Sequence, residues 1–398
     1  MTFAPHHNRW LHRFALLTAL ATLALIVVGG LVTSHGAGMA VPDWPNSYGY
    51  NMFLFPVSRW IGGILYEHTH RLVATFVGIL VVALTRWLGG SSSRRPLIGI
   101  GLTEILGGIA LLQLAPDWKG AGHFLSGIGG VVLLAGLVWF KHEPAPRPLP
   151  QLGWLAFATV QVQGLLGGLR VVLYKNELGI FHATLAQLFF VLLCAIALLT
   201  SRWWRTQQWI SLPSKFNPNL RWCILLTTFL ILGQLVLGAT MRHQHAGLAI
   251  PDFPLAYGKL WPAMDPASIE AYNQQRMEIV SANAITASQI GLQMAHRLLA
   301  VLILAGVVLC AFIAKGSALN KMGYAWLTFV LGQALLGATT IWSNKAADVA
   351  TAHVLVGALC LAVGGLFSLV SFRRLASARC SAKDTVADLS FEPSRTSG

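Results

Sequence analysis

The sequence predicts an all-α polytopic membrane protein with about ten transmembrane helices. Of its 398 residues, 55% are hydrophobic and only 11% are charged, and the mean hydropathy is +0.62. Too little polar sequence remains to coat a soluble core of this size. Ten apolar runs are each long enough for the roughly 20 helical residues that cross a bilayer. They lie near residues 14–34, 65–86, 97–114, 123–140, 152–173, 179–201, 222–241, 289–314, 323–342 and 350–372.

Charge orients these runs in the membrane. The first run follows the basic segment HHNRWLHR and is longer than the roughly 7–15 apolar residues of a signal peptide, so we interpret it as a span. With the N-terminus inside, most of the 28 Lys and Arg residues fall in inner segments, which predicts that both termini are cytoplasmic. The net charge of +14 is then a topology signal, and no nucleic-acid partner is indicated. We expect a multi-pass protein of the cell inner (plasma) membrane.

The cysteines give no sign of a disulfide framework or of covalent haem attachment. All five lie in spans or in inner segments, without CxxC or CxxCH spacing. They are Cys194, Cys223, Cys310, Cys360 and Cys380.

Several segments recur in the two halves of the chain. Both halves start and end inside, so the sequence predicts two tandem four-helix bundles related by a pseudo-twofold axis along the membrane normal. The recurring pairs are GAGMAVPDWPNSYG (36–49) with HAGLAIPDFPLAYG (245–258), EHTHRL (67–72) with QMAHRL (293–298), and LGQLVLGAT (232–240) with LGQALLGAT (331–339).

The repeats divide the chain. The first bundle is predicted from residues 1–90 and 150–205, and the second from 220–374. Residues 96–141 have no counterpart in this pairing and are predicted as an inserted transmembrane hairpin. The polar end, 375–398, is predicted as a disordered cytoplasmic tail.

Five histidines lie in the first turns of spans that enter from the outside, so they share one depth. They are His70, His123, His182, His296 and His353. A lone histidine at a membrane boundary is more often an interfacial hydrogen-bonding residue, but equivalent positions in a duplicated unit favour a functional role. Neutral imidazole is the commonest metal ligand, and two imidazoles can hold a haem iron from both faces. We therefore pair His70 with His182 and His296 with His353. A zinc site would need four close ligands, which this pattern does not offer.

The stretch YEHTHRL places ionisable residues at the mouth of a span. Glu67, His70 and Arg71 share one helix face, whereas His68 is displaced around the helix and is predicted to be interfacial. In the simplest interpretation Glu67 and Arg71 neutralise each other.

The repeat suggests a sharper interpretation. The second half keeps His296 and Arg297 but has Gln293 where the first half has Glu67. One acidic substitution between two similar bundles suggests that one haem is acted upon while the other handles electrons. Arg71 and Arg297 are predicted to pair with haem propionates.

These motifs resemble the haem A synthase family, the bacterial and mitochondrial enzymes that convert haem O to haem A. The resemblance covers most of residues 15–90 and 150–372. It rests on E-x-x-H-R at 67–71, PDWP at 42–45, QGLLGG ahead of His182, and the AHR and AH motifs at His296 and His353.

The resemblance implies a membrane oxidoreductase that oxidises the methyl group of haem O to the formyl group of haem A by successive hydroxylation, for terminal oxidase assembly. It implies that His70 and His182 flank the substrate haem O, that His296 and His353 ligate a haem b cofactor, and that Glu67 is catalytic. Candidate partners are haem O synthase and terminal oxidase assembly factors, and a homo-oligomer stays open.

Two departures from the family pattern stand out. Many members carry a cysteine on each side of the first outer-loop motif, where this chain has Val41 and Ser47. The usual member has eight spans, and the extra hairpin leaves His123 as a rival to His182 for the second ligand. The QGLLGG segment ahead of His182, matched by QALLGA ahead of His353, favours His182.

Other classes of protein are weighed against this one. A bis-histidine dihaem cytochrome that only transfers electrons would also need paired histidines, but transmembrane electron transfer favours haems at two depths. A parallel-repeat transporter would place polar residues near the membrane midplane, whereas the span centres here look almost purely apolar. The prenyltransferase that makes haem O would need Asp-rich motifs, and the aspartates here stand alone.

Overall fold

A computed structural model describes residues 8–115, 118–138, 142–206, 217, 219–277 and 284–389 of the chain. Residues 1–7 of the predicted first bundle and 390–398 of the predicted tail lie outside this range. The described residues form the helices α1 (Arg9–Ser34), α2 (Gly63–Gly89), α3 (Arg94–Leu114), α4 (Lys119–Leu137), α5 (Leu149–Leu173), α6 (Asn176–Thr200), α7 (Arg202–Thr206), α8 (Leu220–His243), α9 (Pro266–Met277), α10 (Ala287–Ala314), α11 (Asn320–Trp342) and α12 (Ala347–Leu389).

The all-α polytopic fold predicted from hydropathy is confirmed. Within the described residues, nine helical stretches are long and apolar enough to cross a membrane. One of them, Gly63–Leu114, is 52 residues long and contains both α2 and α3, which a short 3-10 turn over Gly90–Ser93 separates. The long helices therefore match the ten apolar runs, and most begin a few residues before the run.

Side-chain caps fix where two of these helices begin. The Asn8 side chain accepts hydrogen bonds from the backbone N–H groups of Trp10 and Leu11, at 3.1 and 3.0 Å, so α1 starts directly after it. At the start of α10, Thr286 and Gln289 form a capping box. Such caps satisfy N–H groups that the first helical turn leaves without partners.

The helices pack in two groups of four. In the first group α1 contacts α2 and α6, and α5 contacts the same two helices. In the second group α10 contacts α8 and α11, and α12 contacts the same two helices. The groups meet where α12 packs against α1 and α6 and where α6 packs against α8. The pseudo-twofold relation between them stays a prediction.

Glycines bring α3 and α4 into close contact. A β-carbon on Gly101 would lie 2.5 Å from the backbone nitrogen of Leu133, and one on Gly108 would lie 2.6 Å from the carbonyl oxygen of Gly122. Small residues allow such close approach of helices in lipid, where van der Waals packing drives association. This hairpin corresponds to the predicted insertion, and it packs against α2.

Candidate functional site

Each of four predicted ligand histidines lies against a glycine of the helix that precedes it in its hairpin. A β-carbon added to the glycine would be 3.1 Å from Cε1 of the imidazole at His70 and His353, tighter than ordinary van der Waals contact, and 3.4 Å from it at the other two. The glycines thus leave room for the rings. The pairs are His70 with Gly29, His182 with Gly167, His296 with Gly238, and His353 with Gly337.

The structure brings His70 and His182 together from α2 and α6. Their ring centres are 6.5 Å apart and the rings are inclined by 78°. Metal–imidazole bonds are about 2 Å long and a ring centre lies about 1 Å behind its nitrogen, so two axial ligands of one iron have centres roughly 6 Å apart. The geometry of this pair therefore fits bis-histidine ligation of a haem iron.

His296 and His353 come from α10 and α12 in the second group of helices. The two imidazoles interact electrostatically. The Gln234 side chain donates to the carbonyl oxygen of His296 at 2.9 Å, and the Gln333 amide nitrogen lies 3.4 Å from Nε2 of His353. In the first group, Gln163 donates to the carbonyl oxygen of His182 at 3.1 Å.

The four imidazoles also share an unsatisfied polar atom. Nδ1 of each ring is buried and has no hydrogen-bond partner within the part of the chain that the structure describes. Buried polar groups are normally paired, so these rings fit a site that a further group completes. No cluster of three or more His, Cys, Asp or Glu side chains suited to a metal ion occurs among the described residues. Two imidazoles that face each other, each packed against a glycine, therefore suit the binding of haem better than the binding of zinc.

Glu67 lies one helical turn before His70 and is buried, with 4% of its surface exposed. Its Oε1 accepts from Arg71 at 2.8 Å, and its Oε2 accepts from the backbone N–H of Val41, also at 2.8 Å. The carboxylate therefore joins α2 to the loop after α1.

Arg71 is bound to the same loop. Its two terminal nitrogens donate to the carbonyl oxygens of Val41, Asp43 and Asn46, at 2.7–2.9 Å, besides the bond to Glu67. In the second half, Arg297 donates to the carbonyl oxygens of Asp252 and Leu255. The donors for which we predicted propionate partners thus hold loop carbonyls in this structure.

Two further histidines differ from the ligand set. His68 is fully buried, and its Nδ1 lies 3.0 Å from Oγ of Ser47, so its predicted interfacial position is wrong. The loop folds back and covers the ring with Phe55 and Trp60. His123 is exposed on α4. This leaves His182 as the ring that faces His70.

Two ionisable residues within helices, one near the site and one in α3, were missed in the sequence. Arg170, in the last turn of α5, interacts electrostatically with both His70 and His182. Glu104 of α3 accepts a hydrogen bond of 2.6 Å from the Gln161 side chain, and its other oxygen is buried without a partner in the described residues. The span centres are therefore less uniformly apolar than predicted. The presence of Glu104 within an apolar run could have shown this in the sequence, because ionisable residues inside spans are costly and usually functional.

Comparison with known proteins agrees with these features. Residues 121–364 match the model of the COX15-CtaA family, described as cytochrome oxidase assembly protein. The chain is 22% identical to a heme A synthase of Lysinibacillus sphaericus, over 94% of this chain and 97% of that protein. A heme A synthase of Geobacillus kaustophilus is 24% identical, over 94% of this chain and 93% of its own length. One of Symbiobacterium thermophilum is 30% identical over 37% of this chain and 52% of its own.

The family match covers more than half of the chain and includes the second group of helices up to α12, together with α4, α5 and α6. Three of the four glycine-backed histidines, at 182, 296 and 353, lie within it. The chain belongs to the COX15-CtaA family of cytochrome oxidase assembly proteins.

Proposed function

We propose that the chain is a haem A synthase, a membrane oxidoreductase that converts the methyl group of haem O to the formyl group of haem A by successive hydroxylation. The observation that carries this proposal is the His70–His182 pair, whose ring centres are 6.5 Å apart. Membership of a cytochrome oxidase assembly family supports it and does not favour a cytochrome that only transfers electrons.

The two histidine pairs would have different occupants. His70 and His182 would hold haem O as the substrate, and His296 and His353 would hold haem b as the cofactor. When bound, the haem b iron supplies one-electron redox chemistry. The imidazoles orient the macrocycles, the glycines beneath them leave room for the rings, and the surrounding apolar helices exclude water.

Glu67 would be the catalytic residue of the first pair. Oxidation of a methyl carbon releases protons, and a carboxylate one turn from His70 is placed to accept one. Oε1 is held by Arg71, while Oε2 is held only by the Val41 N–H in the described residues. We assign the proton to Oε2. The second pair has Gln293 at this position, which suits a haem that handles electrons without proton transfer.

The remaining assignments follow from this function. Residues 1–90 and 150–205 would form the substrate bundle and 220–374 the haem b bundle. The protein would lie in the inner membrane with both termini in the cytoplasm, where haem O synthase and terminal oxidase assembly factors are the candidate partners. The long apolar helices make lipid contact a requirement of the fold.

Porphyrin extraction tests the proposal. The chain is expressed in a host that makes haem O and has no haem A synthase of its own, and the extracted porphyrins are identified by mass. We expect haem A from the wild type and only haem O from His70→Ala. His123→Ala is the matched control, since this exposed ring of α4 faces neither pair and should leave haem A formation unchanged. Haem A formation by His70→Ala at the wild-type level would refute the proposal.

A further inference from the structure

Arg170 has a half-buried side chain whose guanidinium lacks one hydrogen bond that its burial calls for. Its Nε is buried and has no partner within the described part of the protein. Burying a charged group without a partner is costly, and removing the hydrogen bonds of a charged donor costs more than removing those of a neutral one. The placement of Arg170 therefore favours a ligand of opposite charge beside it.

Two glycines make room for the Arg170 side chain. A β-carbon on Gly38, in the loop after α1, would lie 2.6 Å from Nη2. One on Gly179, in the first turn of α6, would lie 3.1 Å from Nε. The side chain is thus confined between two stretches of backbone, the loop after α1 and the start of α6.

The confined guanidinium lies near the first histidine pair and also near His243 of α8. Arg170 lies three residues beyond Gly167, which supports the ring of His182. The guanidinium interacts electrostatically with His70 and His182, and also with Glu67. Glu67 already accepts bonds at both of its oxygens. The protein supplies a nearby negative charge but not a direct acceptor.

The other arginine near this pair is engaged elsewhere. Arg71 donates four hydrogen bonds, three to loop carbonyl oxygens and one to Glu67. A ligand that used Arg71 would have to break contacts that hold the loop. Arg170 can meet an anion without breaking any hydrogen bond within the described residues.

We propose that Arg170 binds a carboxylate of the porphyrin held by His70 and His182, that is, one of its propionates. A planar guanidinium suits a carboxylate because two parallel N–H groups can meet two oxygens. This inference rests on the proposed function, and it assigns a substrate-binding role to a residue outside the histidine and E-x-x-H-R motifs.

Esterified haem tests the assignment. Full-length protein with His353→Ala, which limits binding to the first pair, is titrated with ferric protohaem or with its dimethyl ester, and Kd is read from the Soret band. Protohaem carries two propionates, and the ester removes their charge. We expect the ester to bind about 10- to 100-fold more weakly than the free acid, the range that a charged hydrogen bond supplies.

Variants locate the effect. Arg170→Gln should bind protohaem about 10- to 100-fold more weakly and should no longer distinguish it from the ester. Arg170→Lys should fall between the two because it keeps the charge but loses the fork. Arg59→Gln is the matched control, since Arg59 is an exposed arginine that lies over the Tyr50 ring.

Three results would overturn the proposal. One is an ester that binds to the His353→Ala protein as tightly as protohaem. Another is an Arg170→Gln variant that still prefers protohaem. The third is an anionic phospholipid that copurifies with the wild type and not with Arg170→Gln while haem affinity stays the same, which would assign the guanidinium to a lipid phosphate. Retention of haem by His70→Ala in the same background would instead refute the proposed function.

Discussion

The two outer loops of the molecule share one hydrogen-bond framework. In the first loop the Asp43 carboxylate accepts from the backbone N–H groups of Tyr48 and Gly49 at 2.7 and 2.8 Å. Asp252 does the same in the second loop at the same two distances, from the residues at 257 and 258. The hydroxyls of Tyr48 and Tyr257 each donate a hydrogen bond of 2.6 Å to the backbone carbonyl oxygen eight residues upstream. The scaffold of the duplicated unit is therefore the same.

The loops differ where they meet the ligand helices. The Glu67 carboxylate accepts from the N–H of Val41 at 2.8 Å, and the Gln293 amide oxygen accepts from the N–H of Ile250 at 2.6 Å. A neutral amide can thus accept the same loop hydrogen bond as a carboxylate. The charge of Glu67 is not needed for that bond, and it pairs with Arg71 in addition, which leaves room for a chemical role.

Exchanging these two residues should produce the largest effect. Glu67→Gln should lower haem A formation by about 100-fold or more, the lower range for loss of a proton-transferring group, while the loop stays in place. The measurement is haem A per protein in extracted porphyrins, with Soret absorbance as the check on haem binding. Gln293→Glu is the reciprocal variant and should leave the first pair active. Normal haem A formation by Glu67→Gln would show that the carboxylate does not make the first bundle the catalytic one.

The glycines beneath the rings should separate the two haem sites. Gly337→Leu should expel the ligand from the His296–His353 pair, because even a β-carbon there would be 3.1 Å from the His353 ring. Overpacking costs about 1–3 kcal/mol, and the imidazole ring must move to make room for the leucine. We expect haem content to fall by about half, because one of the two haem sites is lost and the other is kept. Gly332→Leu, on the same helix with open space around it, should keep both haems. Equal loss of haem in both variants would mean that α11 tolerates no leucine at either position. The contact between the glycine and the His353 ring would then not be the cause.

The sequence predicts the helices and the depth of the histidines better than it predicts their surroundings. Hydropathy defines the spans because each must be apolar over its length, and topology then places His70 and His182 at one level. The partners of Arg71 and the surroundings of Arg170 depend on how the loop after α1 folds back, and no periodic pattern encodes that path. His68 is buried for the same reason. The glycine under each ring could have been predicted from the sequence, because a glutamine lies four residues before it in three of the four hairpins.

The inserted hairpin should make the first outer loop more stable than the second outer loop, which has no such hairpin beside it within the described residues. The Trp44 ring lies 4.4 Å from the Phe124 ring of α4 and occupies space that a β-carbon on Gly168 would need. Its counterpart Phe253 is 38% exposed and lies 6.1 Å from the Trp342 ring.

Replacing these two aromatic residues by alanine compares the loops directly. We expect Trp44→Ala to raise amide hydrogen exchange in its loop by about tenfold, equivalent to about 1.4 kcal/mol. Phe253→Ala should raise it less, because the Phe253 ring is more loosely packed than the Trp44 ring, which fills the space beside Gly168. Mass spectrometry of exchanged peptides over 41–50 and 250–259 reads both loops in one sample. A larger effect at the second loop would remove the stabilising role from α4.

The smallest effect should come from the glutamines that brace three of the histidine-bearing helices. Gln163 donates to the carbonyl oxygen of His182, whereas α1 has Leu25 at the corresponding position, four residues before Gly29. The first hairpin thus positions His70 without this bond. Gln163→Leu should cost about 0.6 kcal/mol, the average for an interhelical hydrogen bond in a membrane protein, and lower the melting temperature slightly. It also removes the buried amide oxygen that has no partner in the described residues, which offsets part of the loss. The melting temperatures of haem-reconstituted Gln163→Leu and Leu25→Gln proteins measure the loss of a glutamine in one hairpin and its gain in the other. A loss of haem from Gln163→Leu would show that the glutamine positions the ring rather than the helix.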